Sequence, residues 1–175
     1  DFKVIVHNYP FLPTQINRTV ILPYLDREAI VVYTGGLTEV QGIFEMLSAI
    51  DLLPEALNAN FNIAGRCDSS GLMDRIVRAP GWKRVKYFGV ISRDGVMELI
   101  DKARVGLIID RPIPNYLTSL STKMFEYMSA GIPIVASNFP LWTSIVKKHD
   151  CGLLVNPYNP QEIADAITWI FEHPI

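Results

Sequence analysis

Short apolar runs rich in β-branched residues recur along the chain at fairly even intervals. Each is followed by a polar or glycine-bearing turn and then by apolar residues at helical spacing. The runs lie at residues 29–34, 61–64, 85–88, 105–109, 132–136 and 152–155. Several are apolar throughout instead of alternating, the pattern of parallel strands covered on both faces. Between them fall the stripes Ile43, Met46, Leu47 and Ile50, then Val96, Leu99 and Ile100, and finally Ile163, Ala166, Ile167 and Ile170. So regular an alternation leaves few architectures open. It predicts an α/β, Rossmann-like three-layer sandwich with a mostly parallel sheet.

Punctuation agrees with that reading. Thr122 reads as the cap of a helix running through Met128, Gly131 as its left-handed stop, and Pro133 as the residue that forbids continuation. Asn159 and Pro160 read as the cap and first turn of the final helix. Residues 1–27 differ in kind: a strand-like Lys3-Val-Ile-Val6 precedes a stretch with Pro10, Pro13 and Pro23 and no sustained periodicity. They are expected to be an inter-domain segment and linker, with the domain proper over 28–175. A chain that starts at Asp1 instead of Met reads as a piece of a longer protein.

Composition removes several function classes. With 49% hydrophobic and 19% charged residues the chain can bury a core, which excludes intrinsic disorder. A net charge of -2 without any run of like charges speaks against a nucleic-acid partner. The longest apolar runs fall far short of the roughly 20 residues needed to cross a bilayer, so no transmembrane segment is expected. Cys67 and Cys151 lie far apart without a CxxC, which suits neither a zinc site nor a disulfide framework and points to a reducing compartment. His7, His149 and His173 are scattered and read as surface or packing residues, as Trp82, Trp142 and Trp169 read as core or interface. Asn17-Arg18-Thr19 has the form of a glycosylation sequon and, without a signal peptide, reads as a chance match.

An open parallel sheet takes its ligand beyond the carboxyl ends of its strands, so the turns after the strands carry the functional reading. Gly35 and Gly36 follow the first strong strand and would let backbone amides approach a phosphate. They form neither a GxGxxG nor a Walker loop, and a plain tight turn explains them equally. Thr118-Ser-Leu-Ser-Thr-Lys123 brings hydroxyls and a lysine to a helix start, where free amides and the positive dipole end attract an anion. One turn in, Glu126 can accept two hydrogen bonds from a vicinal diol such as a ribose, or form an exposed pair with Lys123. Met128-Ser-Ala-Gly131 lies inside a helix and is no nucleophile elbow. Asp110 ends a strand as a phospho-acceptor would, yet no acidic pair ends an earlier strand to hold magnesium, and no metal site is expected.

Taken in order, Tyr33-Thr-Gly-Gly-Leu-Thr, Gln41-Gly, Phe61-Asn-Ile-Ala-Gly65, Val85-Lys-Tyr-Phe-Gly89, Lys123-Met-Phe-Glu-Tyr-Met-Ser-Ala-Gly-Ile-Pro-Ile-Val-Ala136 and Cys151-Gly-Leu-Leu-Val155 resemble the donor-binding half of retaining group 1 (family 4) glycosyltransferases with the GT-B fold. The resemblance runs over about residues 28–173, and His7-Asn-Tyr-Pro10 resembles the segment that joins the two domains of such enzymes. It implies one half of a GT-B fold: the nucleotide-sugar-binding domain of an enzyme that moves a sugar from a nucleoside-diphosphate sugar to a glycan or lipid-linked acceptor. The implied setting is polysaccharide biosynthesis in the cytoplasm, with peripheral membrane contact open to the full-length protein.

By the same resemblance, Glu126 matches the second glutamate of the family's E-x7-E motif, which holds the donor ribose. Ser119, Leu120, Ser121, Thr122 and Lys123 match the loop that approaches the diphosphate and sugar. Gly35 and Gly36 match the first glycine-rich turn, and Gly89-Val90-Ile91 the stretch whose backbone contacts the base. The chain departs from the pattern where Thr118 stands in place of the first glutamate, and where Gly36 and Gln41 replace the usual cationic clamp. Lys123 and Arg66 are left as the candidate cations. No cofactor is implied beyond the donor itself, and the catalytic residues are expected in the cleft with the other domain. Two further readings stand beside this one: a non-catalytic nucleotide-binding or scaffold module derived from a glycosyltransferase, and a nucleotide-sugar 2-epimerase.

Overall fold

A computed structural model describes residues 22–173; the strand-like Lys3–Val6, the sequon at Asn17 and most of the expected linker lie outside the described residues. Among the described residues six strands form one sheet: β1 (Ile30–Thr34), β2 (Asn60–Ala64), β3 (Val85–Tyr87), β4 (Val105–Ile108), β5 (Ile134–Ser137) and β6 (Gly152–Val155). Their order is β3-β2-β1-β4-β5-β6, and every pairing is parallel. Each expected run became a strand with small shifts at its ends.

The connections are α1 (Ile43–Leu52), α2 (Ser70–Ile76), α3 (Arg93–Lys102), α4 (Pro114–Leu117), α5 (Thr122–Ser129), α6 (Pro140–His149) and α7 (Pro160–Glu172). Because successive strand residues face opposite sides, the sheet sorts its apolar residues into two cores. Val31, Tyr33, Phe61 and Ile63 meet Met46 and Leu47 of α1 and Ile163 and Ile167 of α7 on one face. Val32, Ile108 and Ala136 meet Ile100 of α3, Tyr127 of α5 and Trp142 of α6 on the other. Three layers result.

Of the helix ends expected above, one differs. Asn159 caps α7 by accepting from the Glu162 amide at 3.3 Å, with Pro160 first in the helix, and Gly131 adopts φ +63° after α5. Thr122, expected to be the cap of α5, is instead its first residue. Ser121 holds the extended backbone that a cap requires (φ -78°, ψ 124°). Ahead of β1, Arg27 is buried and donates to the carbonyls of Ala103 and Ala130, at the carboxyl ends of α3 and α5, where a cation is electrostatically favoured.

Candidate functional site

The chain leaves β1 toward β2 and β3 and then returns across the sheet to β4, so its connections reverse direction between β1 and β4. The carboxyl ends of those strands open the crevice in which such a sheet takes a ligand. Two cavities of 390 and 370 Å³ lie instead at the amino-terminal side, lined by Ile132, Pro133 and Cys151 in one and Ile30, Asn60 and Val85 in the other.

The crevice is assembled from turns that touch. Gly35 donates its amide to the Ala64 carbonyl at 2.9 Å, and Gly65 to the Gly89 carbonyl at 2.8 Å. A side chain at Gly65 is impossible, because its Cβ would lie 1.7 Å from the Gly35 carbonyl oxygen. The turns after β1, β2 and β3 are thereby locked into one rim. Tyr33 adds to it by donating its hydroxyl to the Gly36 carbonyl at 2.7 Å. Gln41, opposite Gly36, is hydrogen-bonded through its own amide and side chain to Thr38 Oγ1. Val90, in the stretch expected to meet the base, is 74% exposed.

The helix start expected to face an anion forms the other wall. Trp142 donates Nε1 to the Ser119 carbonyl at 2.9 Å and pins the loop that leads into α5. Ser121 makes no side-chain capping bond, and with the Met124 amide donating to the Ser121 carbonyl at 3.1 Å the amides of Thr122 and Lys123 keep their capacity for an outside acceptor. Lys123 lies with Nζ 5.3 Å from the centre of the Tyr33 ring, beside the Gly35 turn. Tyr127, fully buried, accepts from the Thr34 amide at 3.1 Å and ties α5 to the end of β1. Burial pushes its phenol well above the ordinary range.

Glu126 is where the two readings of its role separate. Its carboxylate is buried and its partner is Arg93, Nη1 to Oε1 at 2.5 Å, so the exposed intrahelical pair with Lys123 does not form. Thr118 turns its hydroxyl back onto the Pro114 carbonyl of α4 at 3.2 Å. Arg66 pairs with Asp68 on the surface while its backbone carbonyl accepts from Leu37 at the rim.

Two further residues mattered more than sequence reasoning allowed. Arg93 had no place among the candidates, although an arginine in a first helical turn, against the dipole, was a signal. Asp110 is buried at the end of β4 with Oδ1 lacking a hydrogen-bond partner, and its backbone carbonyl accepts from Ser137 Oγ at 2.7 Å. Burial raises its carboxyl above the usual range, and the Lys123 charge pulls it partly back. Among the described residues no group of three or more His, Cys, Asp or Glu side chains converges as a metal site.

Comparison with known proteins bears on the family and the fold. The family model described as glycosyl transferases group 1 matches residues 20–175. An uncharacterized glycosyltransferase of Methanocaldococcus jannaschii is 29% identical over 140 residues, covering 79% of this chain and 35% of its own length. The alpha-D-kanosaminyltransferase of Streptomyces kanamyceticus is 23% identical over 152 residues, 86% of this chain and 38% of its own. The chain thus spans little more than a third of the curated relatives it matches. Among solved structures, a sucrose-phosphate synthase of Thermosynechococcus elongatus superposes with a TM-score of 0.71 at 24% identity, over 87% of this chain and 38% of that one. HepE of Anabaena, solved with UDP and glucose, superposes with a TM-score of 0.61 at 19% identity, over 83% and 39%. These likenesses show one Rossmann-like half of a GT-B architecture. With the family model covering nearly the whole chain, the protein belongs to the group 1 glycosyl transferases.

Proposed function

We propose that this chain is the donor-binding domain of a glycosyltransferase that passes a sugar from a nucleoside-diphosphate sugar to a glycan or lipid-linked acceptor. Residues 28–175 form the domain in this reading, and residues 1–27 the segment that joins it to an acceptor domain. The observation that carries the proposal is the buried carboxylate of Glu126 one turn inside α5, whose start offers uncapped amides and Lys123 to a diphosphate. Gly35, Gly36 and the Arg66 backbone face that diphosphate from the other side, with Ser119, Leu120, Ser121 and Thr122 lining the approach and Val90 at the base. The relative named for kanosaminyl transfer favours a transferase over the epimerase and scaffold readings, and polysaccharide biosynthesis in the cytoplasm is the setting that goes with the proposal.

Helix amides and Lys123 supply a positive field for the diphosphate from the protein itself. Calorimetry with UDP-, GDP- and ADP-sugars, with and without EDTA, tests this. One nucleotide class is expected to bind equally with the chelator present. Binding that vanishes with EDTA overturns the metal-free part of the proposal, and no binding by any of the three classes overturns the donor site.

A further inference from the structure

Glu126 is governed by a residue on another helix. Arg93 opens α3 directly after Ser92, whose Oγ accepts from the Gly95 amide at 3.1 Å and fixes the start of that helix. A cation in a first turn faces the positive end of the helix dipole, so Arg93 has no local electrostatic reason to be there. Its guanidinium crosses to α5 and donates to Glu126 Oε1, joining a side chain 56% exposed to one only 8% exposed. Lys123, the cation on α5 itself, lies over the Tyr33 ring instead.

Upstream of Arg93 the chain is tied to the turn after β2. The Gly89 carbonyl is held by the Gly65 amide at 2.8 Å, and Tyr87 donates its hydroxyl to the Gly65 carbonyl at 2.9 Å. Arg93 therefore connects the segment Gly89-Val90-Ile91 to the carboxylate on α5. A buried carboxylate needs a partner for its charge, and a guanidinium bound to one oxygen sets the orientation of both.

We propose that Arg93 is a positioning residue for nucleotide binding: it holds the Glu126 carboxylate so that the second oxygen accepts the ribose hydroxyls. The proposal rests on the ribose role given to Glu126 above.

The test measures the binding of UDP, GDP and ADP, each against its 2′-deoxy counterpart, to the parent chain and to Glu126→Gln, Arg93→Ala and Arg93→Lys. For the base that binds, the parent is expected to prefer the ribose form by about tenfold, the worth of one hydrogen bond to a charged acceptor. Glu126→Gln and Arg93→Ala should both lose that preference, and Arg93→Lys should keep most of it. The preference is a ratio measured on folded protein, so a loss of stability alone does not move it. If the alanine variant fails to fold, Arg93→Gln, which keeps the length of the side chain, takes its place. Arg93→Ala, or Arg93→Gln in its place, keeping the ribose preference while Glu126→Gln loses it overturns the proposal alone. A parent without the preference, or a Glu126→Gln variant that retains it, removes the ribose role of Glu126 and the proposal with it.

Discussion

A glutamate in the second turn of a surface helix normally stands in water, and Glu126 does not: it is 6% exposed and bound to Arg93. If its free oxygen takes ribose hydroxyls, Glu126→Ala should weaken donor binding by about 1.5–3 kcal/mol with the far-ultraviolet dichroism unchanged. The fold should tolerate the change because the released Arg93 is largely solvated. Unchanged affinity would reduce Glu126 to a tie between α3 and α5. Asp110 gives the opposite case, a buried carboxylate whose Oδ1 has no hydrogen-bond partner. Burial raises its folded-state pKa, so the ionised form costs the folded protein stability above the ordinary carboxylate range, and the cost disappears as the pH falls below it. Asp110→Asn is therefore expected to raise Tm at neutral pH, with the gap to the parent closing toward about pH 4. A gap of constant size across that range would show that its charge is not what matters.

Among the elements, α5 carries most of the candidate site, and it is placed by contacts distant in sequence. Its Tyr127 reaches the end of β1, and its ring lies so close to β4 that a Cβ at Gly106 would come within 2.3 Å of it. Tyr127→Phe leaves the Thr34 amide buried without that acceptor and should cost about 1–3 kcal/mol in urea unfolding. A smaller loss would mean that the ring, and not the hydroxyl, anchors the helix. The helix itself was legible in the chain: the turn at Gly131 follows from local chemistry, and the expected end at Met128 falls one residue short of the observed Ser129. Its cap was misassigned by one position. Ser121 and Thr122 are equally suited to capping by residue type, and only the backbone angles reached in the fold choose between them.

For the molecule as a whole, binding and transfer are expected to separate. Group transfer in a two-domain fold takes place where closure excludes water and brings acceptor and donor within reacting distance. The crevice here has walls from one sheet only, and the chain spans 35% and 38% of the two relatives described above. Residues 1–175 should accordingly bind a nucleotide sugar without turning it over, while a polypeptide extended to the length of the relatives should transfer. Acceptor-dependent product from residues 1–175, above a Lys123→Ala/Glu126→Ala control, would show that a second domain is not required.

The division between what was legible and what was not follows the range of the interactions. Buried parallel strands need apolar residues on both faces, and helices need a stripe at helical period; both are short-range patterns, and they make the six strands of the described residues and the α/β class legible in the chain. Glycine turns and the hydroxyl-rich approach to α5 are equally local, so the turns that gather at the carboxyl end of the sheet are legible as well. Which cation meets Glu126 is a different kind of fact. Lys123 is three residues away and Arg93 thirty-three, and at helical spacing the nearer one looks like the partner. The pairing was decided by where α3 and α5 are laid across the same face of the sheet, which brings Arg93 within hydrogen-bond reach of Glu126 while Lys123 is drawn to the ring of Tyr33.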